Sequence, residues 1–413
     1  MLRLAEILLE PRATDAWRQL RQLGIDEAVG VLPRGSADWR AHAPEQPWQH
    51  GPLALYKQQV EDAGFRLTVL EDNPPMDRLR LGLPGREEEL EAVLDLIRTM
   101  GKLEIEVLCY NWMPVVSWSR TSTALPGRGG AEVTGFDAAM WEGVEPPPEA
   151  PVEEAKLWQT LAWFLERAVP VAEEAGVRLA LHPDDPPLSP VRGIGRIVTS
   201  LEAYDRVFAL QPSPASGMTL CQGNVSLMTD DLPAAIRHFG GQGRIHFVHF
   251  RDVRGTPDSF VETFVDEGPT DMAACIRAYL EAGVDAPLRT DHSPTLAGDA
   301  ALVPGYPTLG RLHAIGYVQG LLAACGGAHP SSGGTTEAQA MTEYLVVIER
   351  EGDSWGAFCP DLPGVGVVAD TRAEVERLVR EAIALHLESL VQAGEPLPIP
   401  AAVGTTLVQI PAA

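Results

Sequence analysis

In this 413-residue chain, side chains that bind first-row metal ions recur at one kind of place, where a short β-branched run gives out. RLALHPDD carries His182, MTLCQG carries Cys221, HFVHFRD carries His249 and LRTDHS carries Asp291. Two imidazoles, a thiolate and a carboxylate suit a divalent ion such as Mn²⁺, Fe²⁺, Co²⁺ or Zn²⁺, with coordination positions left open for a substrate. Taken singly, each has a plainer explanation, since a strand histidine most often packs and a buried thiol is most often inert. The signal is that all four end consecutive runs. His246, deeper in the run that carries His249, keeps the packing explanation. Other polar groups suit proton transfer: His292 beside Asp291, Tyr306 downstream, and Arg251 and Asp252 after His249. Acid and base groups on either side of a metal-bound hydroxy acid are what an elimination needs. Arg120 and Arg251 are candidates to clamp a carboxylate at two points, with Asn111 as a further substrate-binding candidate. Asp184 and Asp185 in HPDDPP either orient His182 or belong to a turn before two prolines.

Those side chains need a scaffold that brings strand ends together. Eight β-branched runs alternate with longer amphipathic ones: Arg3–Leu9, Asp26–Leu32, Phe65–Glu71, Glu104–Asn111, Val177–Pro183, Gly217–Gly223, Arg244–Asp252 and Ala286–His292. Helical stretches such as GREEELEAVLDLIRTMG and EEAKLWQTLAWFLERAVPVAEEAG lie between them, and several end at a glycine placed to cap the helix. Eight strand–helix units predict an α/β fold, a (β/α)8 TIM barrel, whose strand carboxyl ends ring one mouth. A doubly wound open sheet fits less well, because no glycine-rich turn follows the first strand. Two connections after strands are long, Trp112–Pro151 and Val253–Thr270, and in a barrel they lie on the catalytic face, as a lid would. Residues 1–326 are expected to form the barrel. The stretch 327–340, rich in Gly, Ser and Thr, reads as a flexible linker. Residues 341–413 read as a small α+β domain of order β-β-β-α-β, its helix opened by a Thr371/Glu374 capping box and TTLVQI as its fourth strand.

Composition narrows the functional classes. With 57 acidic and 32 basic residues the net charge is −25, a field that repels nucleic acid and anionic membrane surfaces. No apolar run reaches the ~20 residues of a membrane span and the N-terminus lacks a secretory pattern, so a cytoplasmic location is expected. Five widely spaced cysteines do not form a disulfide framework. A homo-oligomer is expected, as for most soluble enzymes.

Several runs together resemble the mannonate dehydratase family: CYNWMPVVSWSRT at 109–121, LALHPDDPP at 179–187, Cys221–Asn224, IHFVHFRDV at 245–253, RTDHSPT at 289–295 and GYPTLGRLHAIGYVQGLL at 305–322. The resemblance implies a TIM barrel of the xylose-isomerase-like type, dependent on Mn²⁺ or Fe²⁺. It implies dehydration of the sugar acid D-mannonate to 2-dehydro-3-deoxy-D-gluconate in hexuronate (glucuronate) breakdown. It also implies His182, Cys221, His249 and Asp291 as ligands, with His292 and Tyr306 as the acid/base pair. The chain departs from the family pattern at Ser117 and Ser122, where the family more often has Asp. A sugar isomerase or epimerase on the same barrel would favour carboxylate-rich ligation, which Cys221 opposes, and a related aldonate dehydratase is a further alternative. The segment 343–400 is similar to the HicB-type antitoxin family, which implies a protein partner or self-association through that domain. Its eleven acidic residues, four arginines and absence of lysine oppose nucleic-acid contact.

Overall fold

The computed structural model describes residues 2–34, 45–299, 303–326, 344–352, 354–393 and 398. The chain divides into two compact units, Met1–Gly333 and Gly334–Ala413. The expected linker at 327–340 and the expected strand TTLVQI lie outside the described residues.

In the first unit eight parallel strands close into a barrel: β1 (Arg3–Ile7), β2 (Glu27–Gly30), β3 (Arg66–Leu70), β4 (Val107–Tyr110), β5 (Arg178–Leu181), β6 (Ser216–Cys221), β7 (Ile245–Phe250) and β8 (Pro287–Thr290). Each pairs with its sequence neighbour, and β8 pairs back to β1. Side chains alternate along each strand, so one set fills the barrel and the other meets the helices. The interior is packed by Ala5, Ile7, Val29, Val69, Val107, Cys109, Ala180 and Phe247. The outer set, including Leu67, Leu108, Leu179, Leu220, Val248 and Leu288, joins helix residues such as Leu96, Phe164, Ile236 and Ile276 in one large core. Helices return the chain after each strand, and two of them stop where expected. Gly176 (φ 70°) and Gly283 (φ 65°) take the left-handed conformation just before β5 and β8.

The strands are one to four residues shorter than their hydrophobic runs. Among the trimmed residues at the carboxyl ends, Glu71, Asn111, His182, Asp291 and His292 line the mouth, and the backbone N–H groups of Glu71 and His182 still bond to the neighbouring strand. At the opposite end Arg3 bonds Glu27, Glu106 and Asp285, while Arg66 and Arg178 also reach Glu106, a network that ties strand starts together.

The two long connections pair with each other. Ser122–Pro126, Glu132–Asp137, Val253–Thr256 and Ser259–Glu262 form a four-stranded antiparallel sheet, with Ser259–Glu262 between Val253–Thr256 and Glu132–Asp137. Phe136, Val253 and Phe260 form its small core, packed by Trp141, Leu188 and Leu227. Asp252 is occupied in holding this region, accepting from the Val253 and Thr270 backbone N–H groups and the Thr270 hydroxyl.

His246 is the extra residue of a β-bulge, where the partners of Met218 and Thr219 jump from Ile245 to Phe247. Its Nδ1–H donates to the Leu179 carbonyl at 3.0 Å. Burial, assisted by Arg178 and Arg244, pushes its pKa down to about 4 from 6.5. The folded state therefore holds it neutral, and stability present above about pH 6.5 is lost as pH falls toward 4. The loss attributable to this group is on the order of 3 kcal/mol. A His246→Asn variant, compared with the parent by urea midpoints in chelator-treated protein across that window, is expected to lack this part of the fall.

Among the described residues of the second unit are three antiparallel strands, Val347–Glu351, Ser354–Phe358 and Gly366–Ala369, and the helix Arg372–Ala393. Val375 and Val379 of the helix pack on Ala357. The Thr371 hydroxyl accepts the Glu374 N–H at 3.2 Å, the cap expected from the sequence. All five cysteines are free thiols.

Candidate active site

Parallel register places Cys221 opposite His249, and His249 opposite Arg289, so β6, β7 and β8 present these groups at one level of the mouth. His182 follows β5 directly, and its backbone N–H still donates to the Tyr110 carbonyl at 2.7 Å. His182, Cys221 and His249 each offer a ligand atom, all within 4.8 Å of one another. Asp291 joins them: its Oδ2 lies 3.7 Å from Cys221 Sγ and 3.6 Å from His249 Nδ1. The structure thus brings all four residues together at one point.

The donor set fits a divalent ion. His249 is 1 % exposed, and neither of its ring nitrogens has a hydrogen-bond partner. Carboxylates stand near both, Glu71 Oε2 at 3.4 Å from Nε2 and Asp291 Oδ2 at 3.6 Å from Nδ1, but neither contact is a well-formed hydrogen bond, and a buried imidazole so placed is better satisfied by an ion. His182 Nδ1–H donates to the Pro183 carbonyl at 2.7 Å, which fixes the tautomer and leaves Nε2 with its lone pair. That carbonyl orients His182, whereas Asp184 and Asp185 are engaged elsewhere. Asp184 accepts the backbone N–H groups of Ile197 and Val198 and pairs with Arg196.

Asp291 is braced from behind. Arg289 donates to its Oδ1 at 3.0 Å and also makes a two-point bond to Glu71. The Tyr306 hydroxyl donates to the same Oδ1 at 2.8 Å. Burial opposes ionisation of Asp291, but Arg289, His292, His249 and Arg251 outweigh it and hold the carboxyl well below the usual range. Arg289 and His249 likewise bring Glu71 down to about 2 against its burial. The phenol of Tyr306 is pushed well above its usual value by burial and by the Asp291 charge, so it keeps its proton.

A cavity of about 200 Å³ opens on these groups. Its walls include Glu71, Asp72, Asn73, Asn111, Ser117, Trp118, His182, Asp185, His249, Arg289, Asp291, His292 and Tyr306. His292 and Tyr306 meet edge to face with ring centroids 5.1 Å apart, and Trp118 lies 5.4 Å from His292 on its other side. A tight turn aims this part of the insertion. Val115 has φ 63°, and the Val116 N–H donates to the Pro114 carbonyl at 2.6 Å. A β-branched residue there carries strain of about 1–3 kcal/mol.

Arg120 and Arg251 do not line this cavity. Both guanidiniums are buried against protein carboxylates: Arg120 grips Asp185 at 2.7 Å and Glu262 at 2.6 Å, and Arg251 reaches the same two at 3.0 and 2.7 Å. Arg251 also donates to Asn224 Oδ1 at 2.7 Å. A Cβ on Gly223 would lie 2.5 Å from Arg251 Nε, so glycine is what lets this arginine pass. Asn111 does line the cavity, with its Oδ1 accepting from Arg80 and from the Met113 N–H. Glu71, Arg289 and Glu262 were not among the residues singled out from sequence. Glu71 ends a β-branched run just as the candidate ligands do and carried that signal. Glu262 carried none, because only the pairing of two distant insertions delivers it.

The family model described as D-mannonate dehydratase (UxuA) matches residues 16–148 and 149–330. The chain belongs to the mannonate dehydratase family. Among curated members, the mannonate dehydratase of Thermotoga neapolitana is 33% identical over 351 residues, covering 76% of this chain and 94% of the relative. Mannonate dehydratase 2 of Halalkalibacterium halodurans is 35% identical over 301 residues, covering 66% of this chain and 87% of the relative. The crystal structure of mannonate dehydratase from Streptococcus suis superposes with a TM-score of 0.68 at 28% identity, covering 83% of this chain and 99% of that one. A xylose-isomerase-like TIM barrel from Mycobacterium smegmatis shares the fold, with a TM-score of 0.52 at 13% identity, covering 78% of this chain and 97% of that one. The mannonate dehydratase match stays within the barrel unit, and residues 344–411 match a second family model, the HicB-like antitoxin of bacterial toxin–antitoxin systems. Among the described residues no helix is long and apolar enough to cross a membrane.

Proposed function

We propose that this member of the mannonate dehydratase family dehydrates D-mannonate to 2-dehydro-3-deoxy-D-gluconate in hexuronate breakdown, using Mn²⁺ or Fe²⁺. The observation that carries this reading is the placement of His292 and Tyr306 side by side on the cavity that also exposes His182, His249 and Asp291. His182, Cys221, His249 and Asp291 would hold the ion. When bound, it supplies electrostatic stabilisation of the charge that develops on a hydroxy carboxylate as the C2 proton leaves.

The chain's own residues divide the proton transfers. The C2 hydrogen of an aldonate is hardly acidic, so a base must sit beside it while cationic groups stabilise the developing charge. His292 takes that proton. The C2–H electrons pass first into an enediolate-like charge shared with the carboxylate and then form the C2–C3 double bond as the C3–O bond breaks, and the departing hydroxyl needs a proton to leave as water. Tyr306 holds one, since burial and Asp291 keep its phenol protonated. The resulting enol gains a proton at C3 as its C2 hydroxyl loses one, which gives the 2-keto product. Trp118, 43 % exposed at the cavity edge, limits water access above His292.

The test is a turnover assay on D-mannonate with chelator-stripped protein, adding Mn²⁺ or Fe²⁺ and following the 2-keto-3-deoxy product. Product that depends on the added ion is the expected result. Folded protein that gives no product with either ion would send the reading to other aldonates. Interconversion of sugars without loss of water would favour an isomerase.

A further inference from the structure

Glu262 ends the insertion strand Ser259–Glu262, and its side chain is 2 % exposed. Its Oε1 is 2.9 Å from His292 Nδ1, 2.6 Å from Arg120 and 2.7 Å from Arg251. The same Nδ1 is 2.8 Å from Arg251 and 3.1 Å from Arg120. Guanidinium groups only donate, so Nδ1 has two alternatives: accept from an arginine, or donate to Glu262. The choice sets the chemistry at the other nitrogen. If Nδ1 accepts, neutral His292 carries its proton on Nε2 and cannot act as a base toward the cavity. If Nδ1–H donates, Nε2 is free to take a proton.

The surroundings decide for donation. Arg120 already has both oxygens of Asp185 and the Ser119 carbonyl as acceptors, and Arg251 has Asp185 and Asn224. Neither needs the imidazole. The two guanidiniums share Asp185 and Glu262, with Asp291 Oδ2 a further 3.3 Å from Arg251 Nε, and removing the charge of Glu262 would leave His292 beside two cations that have lost the one carboxylate placed on its own Nδ1 side.

We infer that Glu262 is a positioning residue for His292: its carboxylate accepts Nδ1–H and so fixes Nε2 as the unprotonated nitrogen facing the cavity. The insertion sheet thereby contributes to the reaction without touching substrate. Through Arg120 and Asp185 the same carboxylate couples the first insertion, the β5 loop and the second insertion. The inference rests on the reading of His292 as the base.

Glu262→Gln keeps the volume and removes the charge, which makes Nδ1 the best remaining acceptor for Arg251. With Mn²⁺-loaded protein and D-mannonate, kcat is expected to fall on the order of 10⁴-fold, as when a histidine is held in the wrong tautomer. KM and bound Mn²⁺ stay within about threefold, since binding groups are untouched. The isotope effect of C2-deuterated substrate on kcat rises. A merely structural role would instead lower metal occupancy and raise KM together, and that result, or a kcat within tenfold of the parent, overturns the inference. A second readout needs no activity. In ¹⁵N-histidine NMR of Zn²⁺-loaded protein, the His292 signal, assigned by its loss in His292→Gln, is expected to report Nδ1–H in the parent and Nε2–H in Glu262→Gln. An Nε2–H parent overturns the inference. If the parent fails to turn over D-mannonate, the functional reading falls, and the NMR pair alone decides on Glu262.

Discussion

Replacing His292 by Gln, or Tyr306 by Phe, is expected to lower turnover of D-mannonate by about 10²–10⁴-fold while leaving the bound divalent ion in place. The separation follows from geometry. Neither residue belongs to the group of donor atoms that His182, Cys221 and His249 bring within 4.8 Å of one another. Tyr306 touches that group only through its hydrogen bond to Asp291 Oδ1, which Arg289 also holds. On the proposed reading, losing the phenol hydroxyl removes the proton that the C3 oxygen needs and leaves the carboxylate braced, and losing the imidazole removes the acceptor for the C2 proton. The two variants should also differ from each other. With Tyr306→Phe, exchange of the C2 proton with solvent deuterium can persist after elimination has stopped, because abstraction precedes loss of the hydroxyl when the acid is missing. With His292→Gln both stop together. Parallel measurements of product, C2 exchange and metal content check this, and loss of metal from either variant would assign that residue a structural role.

His249→Ala and Cys221→Ser are expected to lose both turnover and tight metal binding. In the parent, His249 is buried with no well-formed hydrogen bond to either nitrogen, only the longer approaches of Glu71 and Asp291, so metal-free protein bears the cost of a poorly satisfied imidazole. On the proposed reading, binding an ion removes that cost and stabilises the fold, by about 2.7 kcal/mol at a free concentration 100 times Kd. The parent should therefore unfold at a lower temperature in chelator than in Mn²⁺. In His249→Ala the difference should vanish, and the chelated variant should be no less stable than chelated parent apart from the small cavity it creates. Thermal unfolding with and without chelator, beside metal content by mass spectrometry, separates these outcomes. Equal unfolding temperatures for parent protein in Mn²⁺ and in chelator would count against the ion site.

Much of the barrel was legible in the sequence, because its information is local. Each strand falls in a short, largely apolar run, each helix in an amphipathic stretch, and the left-handed glycines before β5 and β8 mark where one gives way to the other. Eight such units in order leave few ways to close a sheet. His182, Cys221, His249 and Asp291 were legible for the same reason: strand ends in a barrel share one mouth, so position in the sequence translates into position in space. The strand ends were overestimated because the residue pattern runs on past the paired ladder, and Glu71, Asn111 and His182 end at the mouth of the barrel, where pattern alone would extend the strand.

What the sequence by itself determined was the barrel, the level at which the four donor residues meet, and the capped helix of the small C-terminal unit. Tertiary structure alone decided the use of the charged residues around them. Arg120 and Arg251 read from sequence as ligands for a substrate carboxylate, yet Asp185 and Glu262 already occupy both guanidiniums. Glu262 reaches them because two insertions more than a hundred residues apart pair as antiparallel strands, with Phe260 opposite Phe136. Strand pairing across such a separation depends on matching surfaces and on loop closure, neither of which is written in a local pattern. An arginine's partner is set by which carboxylate is desolvated beside it, and that is a property of the packed mouth of the barrel.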